Sequence, residues 1–136
     1  MEISATFRRD IGVLPDVFDL VGRFFTTESI DPKLRFPVDF VLEEIFTNFV
    51  KYNPAGRSDI SVSLSLIDDE LKMALTDFDS APFDIRKDAP AVDPNKPLEE
   101  RTPGKLGVHL VKKMMDRVEY SHEDRVSTVT LYKTIK

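Results

Sequence analysis

The sequence predicts an α+β two-layer sandwich, a mixed, mostly antiparallel β-sheet covered on one face by helices. Three observations predict it. Apolar residues switch between helical and strand spacing in the order β-α-α-β-β-loop-α-β-β. Strands outnumber helices, and neighbouring strands are joined by tight turns. No GxxxxGK[ST] loop is present and no GxGxxG follows a strand, which excludes a doubly wound nucleotide fold.

Residues 2–7 alternate weakly and read as a short strand. Leu14, Val17, Phe18, Val21, Phe24 and Phe25 then recur at helical spacing, with Pro15 tolerated in a first turn. Asp31-Pro32 reads as a cap followed by a first-turn proline. The second helix, 33–52, carries the stripe Val38, Val41, Leu42, Ile45, Phe49 and Tyr52, with Pro37 expected to split off a leading turn. Asn53-Pro54-Ala55-Gly56 stops it. Residues 60–67 alternate Ile60, Val62, Leu64 and Leu66 with Ser61, Ser63 and Ser65, the pattern of a half-buried strand. Asp68-Asp69-Glu70 turns the chain into a partner strand that starts Leu71, Met73, Leu75. Residues 79–104 lack periodicity and hold five prolines, the length and composition of a functional lid or a surface insertion. A third helix is expected over 106–116, then strands over 117–121 and 126–135, turned by His122-Glu123-Asp124.

Length and composition narrow the function. At 136 residues the chain is the size of one domain, 1–136, large enough for its own core. A net charge of −5 argues against nucleic-acid binding through bulk positive charge. The absence of Cys removes disulfides and thiolate chemistry, and two separated histidines do not make a zinc site. No apolar run approaches the roughly 20 residues of a membrane span, and Met1-Glu2-Ile3-Ser4 opens no basic-then-apolar leader, so a cytoplasmic protein is expected.

Three places can carry chemistry. On the second helix Glu44, Asn48 and Tyr52 line one side, with Lys51 seven residues beyond Glu44. An Asn carbonyl is a hard oxygen ligand for Mg²⁺, a carboxylate one turn earlier can accept a proton, and Lys51 can offset phosphate charge. The plain alternative is a solvated helix face. At the end of the hairpin, Asp77 is in phase with Leu71, Met73 and Leu75, so its carboxylate points toward the helix layer and needs a donor. The exocyclic amine of adenine is such a donor; alternatively the strand ends at Thr76 and Asp77 caps a turn with Asp79. Finally, Gly104 and Gly107 bracket the start of the third helix around Lys105, where free N–H groups attract phosphate, unless this is an ordinary helix start.

Taken in order, E-x-x-x-N on a helix, Asp at a strand end, a lid and G-x-x-G before a helix resemble the GHKL (histidine kinase-like) ATPase superfamily. The small anti-sigma factor serine/threonine-protein kinases are the most similar group within it. Leu42 to Asn48 resembles the N box, Asp77 to Asp84 the G1 region, and Leu98 to Gly107 the G2 region. The resemblance spans about 33–134. It implies a Bergerat-type ATP-binding fold with ATP and Mg²⁺ bound, Glu44 as general base, Asn48 as metal ligand and Asp77 as adenine reader. Phe83 would lie in G1, and Gly104, Lys105, Leu106, Gly107 and Val108 would hold the phosphates. It further implies a sigma factor or similar regulator and an anti-anti-sigma-type antagonist as partners, and homodimerisation. The sequence departs from the pattern in three ways. Asp79 replaces the G1 glycine, Tyr52 replaces the usual His, and the Asp77–Phe83 spacing is one residue long. A different alignment puts Phe78 at the adenine position; strand phase favours Asp77. A carboxylate at 79 repels a triphosphate, so the alternative reading is a catalytically weak or inactive regulatory module of the same fold.

Overall fold

The computed structural model describes residues 2–52, 56, 58–79 and 105–135, with Tyr52 and 105–108 described by backbone alone. Phe83, Gly104 and nearly all of the expected lid lie outside the described residues.

The chain runs β1 (Glu2–Phe7), α1 (Leu14–Glu28), α2 (Arg35–Tyr52), β2 (Ile60–Ile67), β3 (Glu70–Asp77), α3 (Lys105–Met114), β4 (Arg117–Glu123) and β5 (Val126–Thr134). The strands form one sheet in the order β1-β2-β3-β5-β4. The expected sheet was mixed; among the described residues every pairing is antiparallel. Each strand joins the next by a hairpin or by a helical excursion, and no crossover between parallel neighbours is needed.

Local chemistry sets the helix ends. Asp10 accepts a hydrogen bond from the Gly12 amide, 2.9 Å, and opens a 3₁₀ turn over Ile11–Val13 that leads into α1. Ser29 then takes a left-handed φ of 54°. Its amide donates to the Thr26 carbonyl and that of Ile30 to Phe25, with Ile30 and Phe25 both buried, a Schellman ending with its apolar contact. Asp31 caps a second 3₁₀ turn, Pro32–Leu34, by accepting from the Lys33 amide, 3.0 Å. Pro37 does not split the following helix as expected. It sits in the first turn of α2, where a backbone N–H is dispensable.

Two hairpin turns use left-handed residues. Asp68 has φ 56° between β2 and β3. The β4–β5 turn falls one residue later than expected, because Asp124 and Arg125 are the pair with positive φ, 52° and 66°. Two successive positive φ values match the right-handed twist of the strands they connect.

The core lies between the helices and one face of the sheet. Ile60, Val62 and Leu64 of β2, Leu71, Met73 and Leu75 of β3, and Val129 and Leu131 of β5 are fully buried. They meet Val17, Leu20 and Phe24 of α1 and Val41, Leu42, Ile45 and Phe46 of α2. Helix α2 is central. It packs against β3, α1 and α3, so its apolar stripe is wide and only a narrow edge is free to be polar. The opposite sheet face carries small hydroxyls, and register aligns Thr6, Ser61, Thr76, Thr128 and Ser121 in one row.

Candidate nucleotide site

Glu44 and Asn48 both lie on α2, and the Tyr52 side chain is outside the described ones. Glu44 is half-buried and Asn48 is 3% exposed. Burial pushes the Glu44 carboxyl above its ordinary range, Glu43 adds to this, and Lys51 opposes it. Such a carboxylate holds a proton more readily than an exposed one, which suits a group that must accept a proton. A folded-state pKa above the unfolded one contributes stability below the ordinary glutamate range, lost as pH rises through the raised value. Glu44→Gln is therefore expected to be more stable than wild type near neutrality, with the gap closing in acid. Urea midpoints across pH check this; a gap independent of pH refutes it.

Asn48 is the informative residue. Both its side-chain oxygen and nitrogen are buried without a hydrogen-bond partner among the described residues. A neutral amide stripped of water costs about 1–3 kcal/mol. An inward amide oxygen without a donor is what a hard cation ligand needs, so the residue fits Mg²⁺. Among the described residues no group of three or more acidic, His or Cys side chains is placed to hold a metal ion. Mg²⁺ here would therefore depend on Asn48 together with phosphate oxygens and water. Asn48→Leu is expected to raise stability in ligand-free buffer by about 1 kcal/mol and to abolish the magnesium dependence of nucleotide binding. Thermal unfolding and calorimetry with and without Mg²⁺ read the two effects; a destabilised variant would contradict the orphaned amide.

Asp77 is fully buried, on the same face as Leu71, Met73 and Leu75, and Phe78 beside it is 49% exposed. Strand phase thus puts the aspartate, not the phenylalanine, against the helix layer. The donor it requires is present in the chain. Arg9, two residues beyond β1, reaches both carboxylate oxygens, with Nη1 at 2.9 Å from Oδ2 and Nη2 on Oδ1. Arg9 Nη1 also donates to the Phe49 carbonyl of α2, 3.3 Å. One guanidinium therefore ties the end of β3 to the helix turn that holds Asn48. The alternative, a strand ending at Thr76, does not hold, because β3 runs through Asp77; its carboxylate also accepts from the Asp79 amide, 3.0 Å, at the turn that follows.

The Asp79 carboxylate is paired. Arg125, on the β4–β5 turn, approaches Asp79 Oδ1 with Nη2 at 2.7 Å and Nε at 2.9 Å. The charge expected to repel a triphosphate is thus offset by a cation from another element. Register sets Ser127 beside Asp77, and His122 beside Ser127. Buried Ser127 Oγ lies 2.7 Å from His122 Nδ1 and 3.2 Å from the Tyr120 hydroxyl.

Through Arg9 the structure links Asp77, at the end of β3, to the Phe49 turn of α2 beside Asn48. Lys51 is exposed on the last turn of α2. Lys105, Leu106, Gly107 and Val108 form the first turn of α3, which packs on α2. Arg9, Arg125 and the Ser127 cluster were missed. The Arg8-Arg9 pair after β1 was a visible signal, but it lies outside the span of the resemblance. A cleft of 980 Å³ between β1 and α1, lined by residues including Arg23 and Arg35, contains none of these groups.

A helix-covered antiparallel sheet with Glu-x-x-x-Asn on the central helix and a buried Asp at a strand end is the architecture of a histidine kinase-like nucleotide-binding domain. Residues 9–133 match the family described as histidine kinase-like ATPase domain, and the chain belongs to that family. Solved structures agree at the level of fold. The chain superimposes on the RsbU and RsbW domains of Rv1364c from Mycobacterium tuberculosis with TM-score 0.71 and 13% identity, covering 99% of this chain and 32% of that one. A chain of the SiaB–SiaC complex from Pseudomonas aeruginosa gives 0.66 and 13%, over 96% and 88% of the two chains. The Acinetobacter baumannii histidine kinase AdeS gives 0.55 and 12%, over 98% and 68%. The chain thus spans about a third of the first of these proteins. No curated protein matches it. No described helix is long and apolar enough to cross a membrane.

Proposed function

We propose that this chain is an ATP- and Mg²⁺-dependent serine/threonine-protein kinase of the partner-switching type. It binds a sigma factor or similar regulator in the cytoplasm and phosphorylates a Ser of an antagonist protein. The buried Asn48 amide, without a partner among the described residues and one turn from Glu44, carries this reading. A structural face would satisfy that amide or replace it by an apolar residue.

The roles follow from position. Asn48 would hold Mg²⁺, whose charge would offset that on the transferring phosphoryl group. Glu44 orients the acceptor hydroxyl and takes its proton, its readiness raised by burial. The first turn of α3, including Lys105 and Gly107, offers backbone N–H groups and a cation to phosphate. Catalysis of this kind rests on positioning and electrostatics rather than on a covalent intermediate.

The test is incubation with γ-labelled ATP, Mg²⁺ and small antagonist proteins encoded nearby. Label on an antagonist Ser is expected. MgATP binding without transfer to any of them would favour a second reading, a regulatory module that has lost turnover. The Arg9–Asp77 pair favours that second reading, because it already satisfies the group assigned to adenine. Absence of heat in calorimetry with MgATP would move the assignment to it outright.

A further inference from the structure

β1 is an edge strand, paired among the described residues with β2 alone. Its other side presents backbone N–H and C=O groups to water, a template for a further strand. Natural edges are blunted by charge, proline or a bulge. β4, at the far edge, follows that rule with exposed Arg117, Glu119 and Glu123. Ile3-Ser4-Ala5-Thr6-Phe7 carries no charge and no proline, and its register with β2 runs without a break. Charge sits only at the two ends, on the exposed Glu2 and Arg8. The space alongside is open, since Ala5 and Phe7 line the 980 Å³ cleft between β1 and α1.

We propose that this edge is a joint between two copies of the chain, with β1 paired antiparallel to β1 of the second copy about a two-fold axis at Ala5. The strand is self-complementary in that register. Glu2 lies opposite Arg8 of the second copy, Ile3 opposite Phe7, Ser4 opposite Thr6, and Ala5 opposite its own counterpart. Opposite charges, a β-branched residue against an aromatic ring, and two hydroxyls are cross-strand pairs that stabilise a ladder. The axis repeats each unlike pair twice. Face parity agrees. Ile3, Ala5 and Phe7 pack toward the core, while Glu2, Ser4 and Thr6 are exposed, so like faces must meet for the apolar side chains to stay covered. Moving the axis to Ser4 sets Glu2 opposite Thr6, and moving it to Thr6 sets Arg8 opposite Ser4, so only the Ala5 axis matches the charges. Helix α1 carries the same symmetry. Exposed Asp16 and Asp19 in its first half and exposed Arg23 in its second all line the cleft beside β1. The two-fold reverses the helix of the second copy, so the acidic end of one α1 runs toward Arg23 of the other and the cleft closes between them.

The chain has no Cys, so a single introduced thiol reports the axis without interference. Opposed Cα atoms of an antiparallel pair lie about 4.5–5.5 Å apart, within disulfide range. Ala5→Cys is expected to give a disulfide-linked dimer under mild oxidation. Glu2→Cys, about 20 Å from its counterpart in this register, is expected not to. Sedimentation of the wild-type chain is expected to show a concentration-dependent dimer. Arg8→Glu and Glu2→Arg, both at exposed positions, are each expected to weaken it about tenfold, because an attraction becomes a repulsion at two symmetric places. The double variant Glu2→Arg/Arg8→Glu is expected to restore it, a rescue that damage to the fold would not allow. In wild-type protein, amide exchange over residues 3–7 is expected to slow as the dimer forms. A monomer at every concentration, a dimer indifferent to the single reversals, no Ala5→Cys cross-link, or equal cross-linking of the two Cys variants overturns the joint. Protection of these amides only when a different protein is added also overturns it, and gives the edge to that protein.

Discussion

Glu44→Gln is expected to slow phosphoryl transfer by about 10²- to 10⁴-fold while MgATP affinity changes little. Glutamine keeps the shape of the side chain and its place on α2, and removes only the ability to accept a proton. The acceptor hydroxyl must lose its proton as it bonds to phosphorus, and no other described acid lies on that edge of α2 except Glu43, which is exposed. Loss in the chemical step with binding retained is the signature of an interaction made only in the transition state. Single-turnover transfer to the antagonist, measured beside calorimetric ATP binding, separates the two. A fully active Glu44→Gln protein would remove Glu44 from the mechanism. A variant that loses ATP binding instead would make the carboxylate a binding group.

The second large effect concerns stability. Asp77→Leu strands the buried Arg9 guanidinium, and Arg9→Met strands the buried Asp77 carboxylate. Each is expected to cost about 3–5 kcal/mol, because an uncompensated charge remains where water cannot reach it. The double variant Arg9→Met/Asp77→Leu is expected to recover most of that loss, since two apolar side chains of similar volume then fill the same space. Set against total stabilities of about 5–15 kcal/mol, either single loss is large. Urea unfolding of all four proteins closes the cycle and isolates the coupling between the residues. Single losses under about 1 kcal/mol would mean that the pair is solvated rather than buried.

The pair also explains a tension between the two functional readings. A buried Asp at a strand end must have a donor in every state of the protein, whatever else it binds. The proposed nucleotide site, in which this carboxylate would face a base, needs water or a ligand there. This chain provides Arg9.

Much of the architecture was legible in the sequence. Period-two alternation over 60–67 and 71–77 marked the central hairpin and put the Asp77 side chain inward, because a strand repeats every two residues whatever it packs against. Helical spacing in α1 and α2, the cap at Asp31 and the polar edge of Glu44 and Asn48 are likewise local properties. Where the reading slipped, the cause was local geometry set by neighbours. Pro37 was absorbed into a first turn because a 3₁₀ turn already led into α2, and the β4–β5 turn moved to Asp124-Arg125 because the twist of two paired strands selects the residues with positive φ. Tertiary structure alone decided the partners. Arg9 and Asp77 lie 68 residues apart in the chain, and Asp79 and Arg125 lie 46 apart. Periodicity shows which way a side chain points but carries no information about which distant cation arrives opposite it. Only closing the sheet and seating α2 across β3 brings those charges within reach of one another.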